Sequence, residues 1–129
     1  MIGWLKVRET SAVAEARRRA RRTANAMGLH STKVEHAAIV ATEIAQNILR
    51  HGGGGQVLIE IFGAPSLERL HIVGHDEGPG IAEQDLPHVF DRFYRSEESR
   101  AMPGSGLGLS IVAQAAERHA GRVHAERSP

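Results

Sequence analysis

Apolar and polar positions change period several times along the chain, and each change predicts an element. Residues 2–9, IGWLKVRE, alternate roughly between apolar and charged side chains, which predicts an opening strand. The spacing then turns helical. Val13, Ala16, Ala20, Ala24 and Met27 fall on one stripe, with Thr10 or Ser11 placed to cap its start and Gly28 to stop it. A second helix is expected from a Ser31 or Thr32 cap to His51, because Val34, Ala37, Ala38, Ala41, Ala45 and Ile48 share one face. The glycines of residues 52–55 break it. Two strand-like runs follow, QVLIEIFG (56–63) and RLHIVGHD (69–76), joined by APSLE in the manner of an antiparallel hairpin. Beyond a stretch of turns and a charged loop come a helix from Gly106 to about His119, a stop at Gly121 and a short strand RVHAE (122–126). The order mixes α and β without a regular βαβ repeat. It predicts an α+β fold, a two-layer α/β sandwich with helices on one face of a mainly antiparallel sheet.

Composition narrows the possibilities. The chain has 129 residues, of which 41% are hydrophobic, enough for one core and one domain spanning 1–129. A formal net charge of +1 is too mild to make nucleic acid the expected partner, and the arginines of EARRRARR read as a solvated helix face. The absence of cysteine excludes disulfides, thiolate nucleophiles and cysteine zinc sites. No apolar run reaches the roughly 18 residues that span a bilayer, and the first residues lack the pattern of a leader, so a cytoplasmic location without membrane contact is expected.

Three stretches carry candidate chemistry. On the second helix Glu43 and Asn47 are four apart, hence neighbours, on the side away from the apolar face, and Arg50 and His51 join them. A carboxylate beside an amide suits a hydrated Mg²⁺, although the same pair also fits an ordinary exposed face. DEGPGI, Asp76 to Ile81, sets an acid at the mouth of a strand before a Gly-Pro-Gly turn, where it could accept a hydrogen bond from a base amine or simply sit in a loop. GSGLGLS, Gly104 to Ser110, runs alternate glycines into a helix start, a combination that favours phosphate. It lacks the preceding strand and long crossover of a dinucleotide-binding unit.

Taken in order, EIAQNILRH, DEGPGI, VFDRFYR and GSGLGLSIV closely resemble the N box, first glycine box, F box and second glycine box of the GHKL superfamily, which includes gyrase, heat-shock chaperone, histidine kinase and mismatch-repair ATPases. The resemblance implies the Bergerat fold, with Mg-ATP lying between helices and a lid. It assigns Asn47 to Mg²⁺, Glu43 to the catalytic carboxylate that acts as a base or orients a water, and Arg50 and His51 to the phosphates. Asp76 becomes the adenine reader, with Gly78, Gly80 and Ile81 in its turn. Gly104, Ser105, Gly106, Leu107 and Gly108 form the phosphate loop. Phe90, Phe93 and Tyr94 anchor the base of the lid, from which Arg92 or Arg95 reaches a phosphate.

The N-terminal half resembles anti-sigma and switch-protein serine kinases, the C-terminal half the catalytic domain of sensor histidine kinases. The first implication is a switch-type serine/threonine kinase that phosphorylates a partner protein. The alternatives are a histidine kinase catalytic domain without its acceptor helix, and a non-catalytic nucleotide-dependent binding module. None of the eight histidines has the acceptor context, a His followed by an acid and then a proline on a dimerising helix. The sheet edge after RVHAE is expected either to pair with a second copy, giving a homodimer, or to be covered by residues 2–9.

Overall fold

The computed structural model describes residues 3–51, 53–78, 84–91, 108–119, 121–123 and 125. Strand β1 (Leu5–Val7) leads into helices α1 (Thr10–Ala26) and α2 (Ser31–His51), followed by strands β2 (Gly55–Phe62) and β3 (Arg69–Asp76), a single 3₁₀ turn at Leu86–His88, and helix α3 (Gly108–Arg118).

Helix ends obey backbone geometry more than the expected caps. Glu9, not Thr10 or Ser11, is the N-cap of α1; its backbone is extended, its carbonyl accepts the Ala12 N–H at 3.0 Å, and its side chain makes no capping bond. At the other end Leu29 N–H reaches Ala24 O at 3.2 Å and Gly28 N–H reaches Asn25 O at 2.9 Å, the paired bonds of a Schellman motif. Helix α2 is capped by the residue before the expected serine or threonine: His30 Nδ1 accepts the Thr32 N–H at 3.3 Å.

The sheet order is β1-β2-β3, antiparallel throughout. Leu5 pairs with Val57, Val57 with Gly74, Ile59 with Ile72 and Ile61 with Leu70. Period-two alternation therefore turns Leu5, Val7, Val57, Ile59, Leu70 and Ile72 toward the helices, where all six belong to or pack on the core. The reverse face carries Phe62 and Val73, both exposed, with His71 stacked on Phe62 at a ring separation of 4.8 Å.

Small side chains set the spacing of the helical layer. Ala16, Ala20 and Ala24 of α1 and Ala41 and Ala45 of α2 are fully buried, with Val13, Val34 and Ile48 filling the space toward the sheet. Val112 fixes α3 to the same layer. The expected two-layer arrangement is thus present. Two details differ. Strand β1 is shorter than residues 2–9, and Arg122, Val123 and Ala125 lie in no strand. The α3 end explains the second: Gly121 N–H returns to Ala116 O at 2.7 Å, so the chain leaves the helix through a tight cap, and no sheet partner meets it among the described residues. None of the described helices is long and apolar enough to cross a membrane.

Candidate functional site

Helix α2 supplies the centre of the site. Its buried residues Ala41, Ala45 and Ile48 commit one side to packing, which leaves Glu43 and Asn47, one turn apart, half-buried on another. Neither side chain makes a hydrogen bond or ion pair among the described residues, so their oxygens remain available. Arg50 is exposed in the last turn, and His51 is the final residue of the helix.

Strand β3 approaches α2 through a glycine. A Cβ on Gly74 would stand 2.5 Å from Ile44 Cγ2 and 3.3 Å from Ile48 Cδ1. Asp76 lies two residues further along the same strand face, opposite Gly55. Gly53 and Gly54, both at positive φ, turn the chain from α2 into β2, and Gly54 joins three elements: its N–H reaches Ile48 O at 3.4 Å and its carbonyl accepts the Glu77 N–H at 3.1 Å. Asp76 is thereby fixed beside the C-terminal end of α2. Its Oδ1 accepts the Gly78 N–H at 3.0 Å, a local turn that orients the carboxylate and leaves Oδ2 for a ligand.

Helix α3 runs antiparallel to α2. His36 of α2 is hydrogen-bonded to His119 at the end of α3, Nδ1 to Nε2 at 2.8 Å, while Ile39 shares a shallow cleft with Ile111 and Ala115. The amide end of α3, with its partial positive charge, therefore points the same way along the helical layer as the C-terminal end of α2. Burial, and then the positive charges of His36, Lys33 and Arg118, hold the His119 imidazole below its ordinary value.

A second cleft, of about 200 Å³, opens between α1 and α2, lined by Arg17, Arg21, Glu35, Ala38, Ile39, Thr42 and Glu43. The sequence expectations did not include its members Arg17 and Thr42. The signal was available: Arg17 and Arg21 each follow a stripe alanine, Ala16 and Ala20, and so flank the seam with α2 rather than point fully to water.

Helix α2 thus carries Glu43 and Asn47 one turn apart, and β3, packed on α2 through Gly74, carries Asp76 with its Gly78 turn. Phe90 is half-buried just after the 3₁₀ turn. Gly80, Ile81, Arg92, Phe93, Tyr94, Arg95, Gly104, Ser105, Gly106 and Leu107 lie outside the described residues. Among the described residues no three His, Asp or Glu side chains gather as a metal centre. The donor chemistry nonetheless fits Mg²⁺, which takes one or two protein oxygens and completes its shell with water and substrate phosphate.

Comparison with known proteins bears on the family of the chain. The model of the family described as "Histidine kinase-, DNA gyrase B-, and HSP90-like ATPase" matches residues 32–129. The signal transduction histidine-protein kinase AfsQ2 of Streptomyces coelicolor is 41% identical over 92 residues, covering 70% of this chain and 17% of AfsQ2. The signal transduction histidine-protein kinase/phosphatase MprB of Mycobacterium sp. (strain KMS) is 54% identical over 73 residues, 57% of this chain and 14% of MprB. A solved structure, the mycobacterial sensor histidine kinase MprB, superposes with a TM-score of 0.54 at 27% identity, covering 89% of this chain and 81% of that one. The chain therefore spans under a quarter of the length of these full-length relatives.

Proposed function

Because this chain belongs to the histidine kinase-, DNA gyrase B- and HSP90-like ATPase family, we propose that it binds Mg-ATP and transfers the γ-phosphoryl group to a histidine on a partner protein. The serine/threonine kinase expected first from the N-terminal half gives way to the histidine kinase alternative. Relatives that match it include histidine-protein kinases, and one of these matches, covering 70% of this chain, carries back into the N-terminal half on which the serine reading rested.

What supports the reading is that α2 carries Glu43 and Asn47 one turn apart with no partner among the described residues, while β3, packed on α2 through Gly74, holds the oriented carboxylate of Asp76. Asp76 Oδ2 accepts from the exocyclic amine of adenine. Asn47 holds Mg²⁺, with Arg50 and His51 nearby on the last turn. The ion, when bound, neutralises charge on the phosphate oxygens. By the family resemblance Gly104, Ser105, Gly106, Leu107 and Gly108 are assigned to the phosphates, Gly80 and Ile81 to the adenine turn, and Arg92 or Arg95 to a phosphate. Glu43 orients the attacking nitrogen and takes its proton as the bond from the γ-phosphorus to the bridging oxygen breaks and ADP leaves. Positioning and electrostatics supply most of the rate.

The test is transfer in trans. Calorimetry establishes Mg-ATP binding first. The chain is then incubated with γ-labelled ATP and AfsQ2 from which the matching segment has been deleted. Label on that acceptor that survives alkali and is lost in acid is expected. Acid-stable label would restore the serine reading, and ATP binding without any transfer would favour a nucleotide-dependent binding module.

A further inference from the structure

The arginines of α1 are not equivalent. Glu15 takes Arg18, Arg19 and Arg22, at 2.6, 3.4 and 3.4 Å, and Glu35 takes Arg21 in a two-pronged contact at 3.2 and 3.0 Å. Arg17 has no carboxylate partner among the described residues. Its Nε donates to Thr42 Oγ1 at 3.0 Å, and that hydroxyl donates to Ala38 O at 2.7 Å. A neutral hydroxyl thus holds a half-buried guanidinium in one orientation without cancelling its charge. Its terminal nitrogens remain for a carboxylate, the group whose geometry they match.

The surroundings say what brings that carboxylate. Arg17 lies in the cleft between α1 and α2, whose floor is apolar, Ala38 and Ile39, with Ile39 44% exposed. Glu43 lines the same cleft, one helical turn beyond Ile39. At about 200 Å³ the space holds one or two side chains and is too small for a nucleotide. Glu35 and Glu43 in its lining oppose the repeated charges of a polyphosphate backbone, whereas a single carboxylate answers the one guanidinium, Arg17, that has no carboxylate partner among the described residues, and an adjoining apolar side chain answers Ile39.

We propose that this cleft docks an acidic amphipathic segment of the protein that receives the phosphoryl group, its carboxylate on Arg17 and its apolar side chain on Ile39. The proposal rests on the kinase reading above, since it is there that a segment seated beside Glu43 gains a purpose. Arg17 is on this account a positioning residue that selects the acceptor and touches neither nucleotide nor reacting atoms.

The probe is a fluorescent helical peptide with Glu and Leu four residues apart, compared with the same peptide carrying Lys in place of Glu. Anisotropy should show the acidic peptide binding, more weakly as salt rises, and the lysine peptide binding at least ~10-fold less tightly. Arg17→Gln should lower affinity for the acidic peptide ~10-fold or more, Arg17→Lys should retain most of it, and Arg18→Gln should leave it unchanged. All three variants should keep the wild-type melting temperature and ATP affinity. Equal binding of the two peptides, no binding of either, an unaltered Arg17→Gln protein, or tighter binding of duplex DNA than of the acidic peptide would each overturn the proposal. A protein that binds the acidic peptide through Arg17 but binds no ATP would instead overturn the kinase reading.

Discussion

Gly74 and Ile44 meet so closely that no methyl group fits between them: a Cβ at position 74 would lie 2.5 Å from Ile44 Cγ2. Ile44 is β-branched and cannot swing aside freely, and Ile48 Cδ1 closes the other side at 3.3 Å. The contact sets the distance between β3, which carries Asp76, and α2, which carries Glu43 and Asn47. Gly74→Ala should therefore cost about 1–3 kcal/mol of stability and weaken ATP binding as well. Gly3→Ala, where nothing lies within 4 Å, is the control. Thermal unfolding and calorimetry on both variants check this, and an unchanged melting temperature for Gly74→Ala would refute it.

Base selectivity depends on the sign of one hydrogen bond. Guanine presents a carbonyl oxygen where adenine presents an amine, so Asp76 Oδ2 would face another acceptor. An unsatisfied buried polar group costs about 1–3 kcal/mol, more when charged, which makes GTP at least ~5-fold weaker than ATP. In Asp76→Asn the side-chain oxygen can still accept the Gly78 N–H and the amide can donate to guanine, so the preference should shrink while the fold persists. Asp76→Ala should lose both nucleotides. Competition binding measures all three, and equal affinities in the wild-type protein would remove Asp76 from the role.

The His36–His119 pair makes stability depend on pH. One ring nitrogen must donate and the other accept, so the two rings cannot both be imidazolium and keep the bond. The His119 value is lowered from 6.5, first by burial and then by His36, Lys33 and Arg118. A depressed value in the folded state means the unfolded chain protonates first. The contribution is therefore fully present above 6.5 and declines as pH falls from there toward the folded value. Denaturant midpoints should fall between about pH 7.5 and about pH 5.5, and part of that slope should vanish in His119→Gln. A slope unaltered by the substitution would dissociate it from the pair.

In the β2–β3 connection Ser66 adopts a φ of +73°, and Leu67 N–H closes the turn onto Ala64 O at 2.9 Å. A serine in that region is strained where glycine is not. Ser66→Gly should be neutral to stabilising, by up to about 1 kcal/mol, despite the greater freedom it gives the unfolded chain. A clear fall in melting temperature would contradict it.

The helical layer was legible because burial leaves a period: Val13, Ala16, Ala20 and Ala24 are buried as the stripe requires, as are Val34, Ala37, Ala41, Ala45 and Ile48. The hairpin was legible from two apolar runs and a Pro-Ser turn. What periodicity could not show was which residue closes a helix end. Glu9 and His30 take positions expected for hydroxyl side chains, because where the chain leaves extended geometry is settled by what packs behind it. Nor could it show Arg17 as different from Arg18. Both are charged residues on one helix, and only the position of Glu15 relative to Thr42 separates them. Around the nucleotide the sequence spoke through motifs whose meaning came from resemblance, and the structure adds the Asp76–Gly78 turn and the antiparallel α2–α3 pair.

Strand β1 pairs with β2, yet the whole of α1 and α2 lies between them in the chain. The two helices and the β2–β3 hairpin close over short loops, whereas Leu5 can meet Val57 only after a loop through both helices has been drawn shut. Loop-closure entropy makes that pairing the late event in folding. On the ribosome the asymmetry is sharper: Leu5 emerges before both helices and waits, apolar and unpaired, until the chain has been made past Val57.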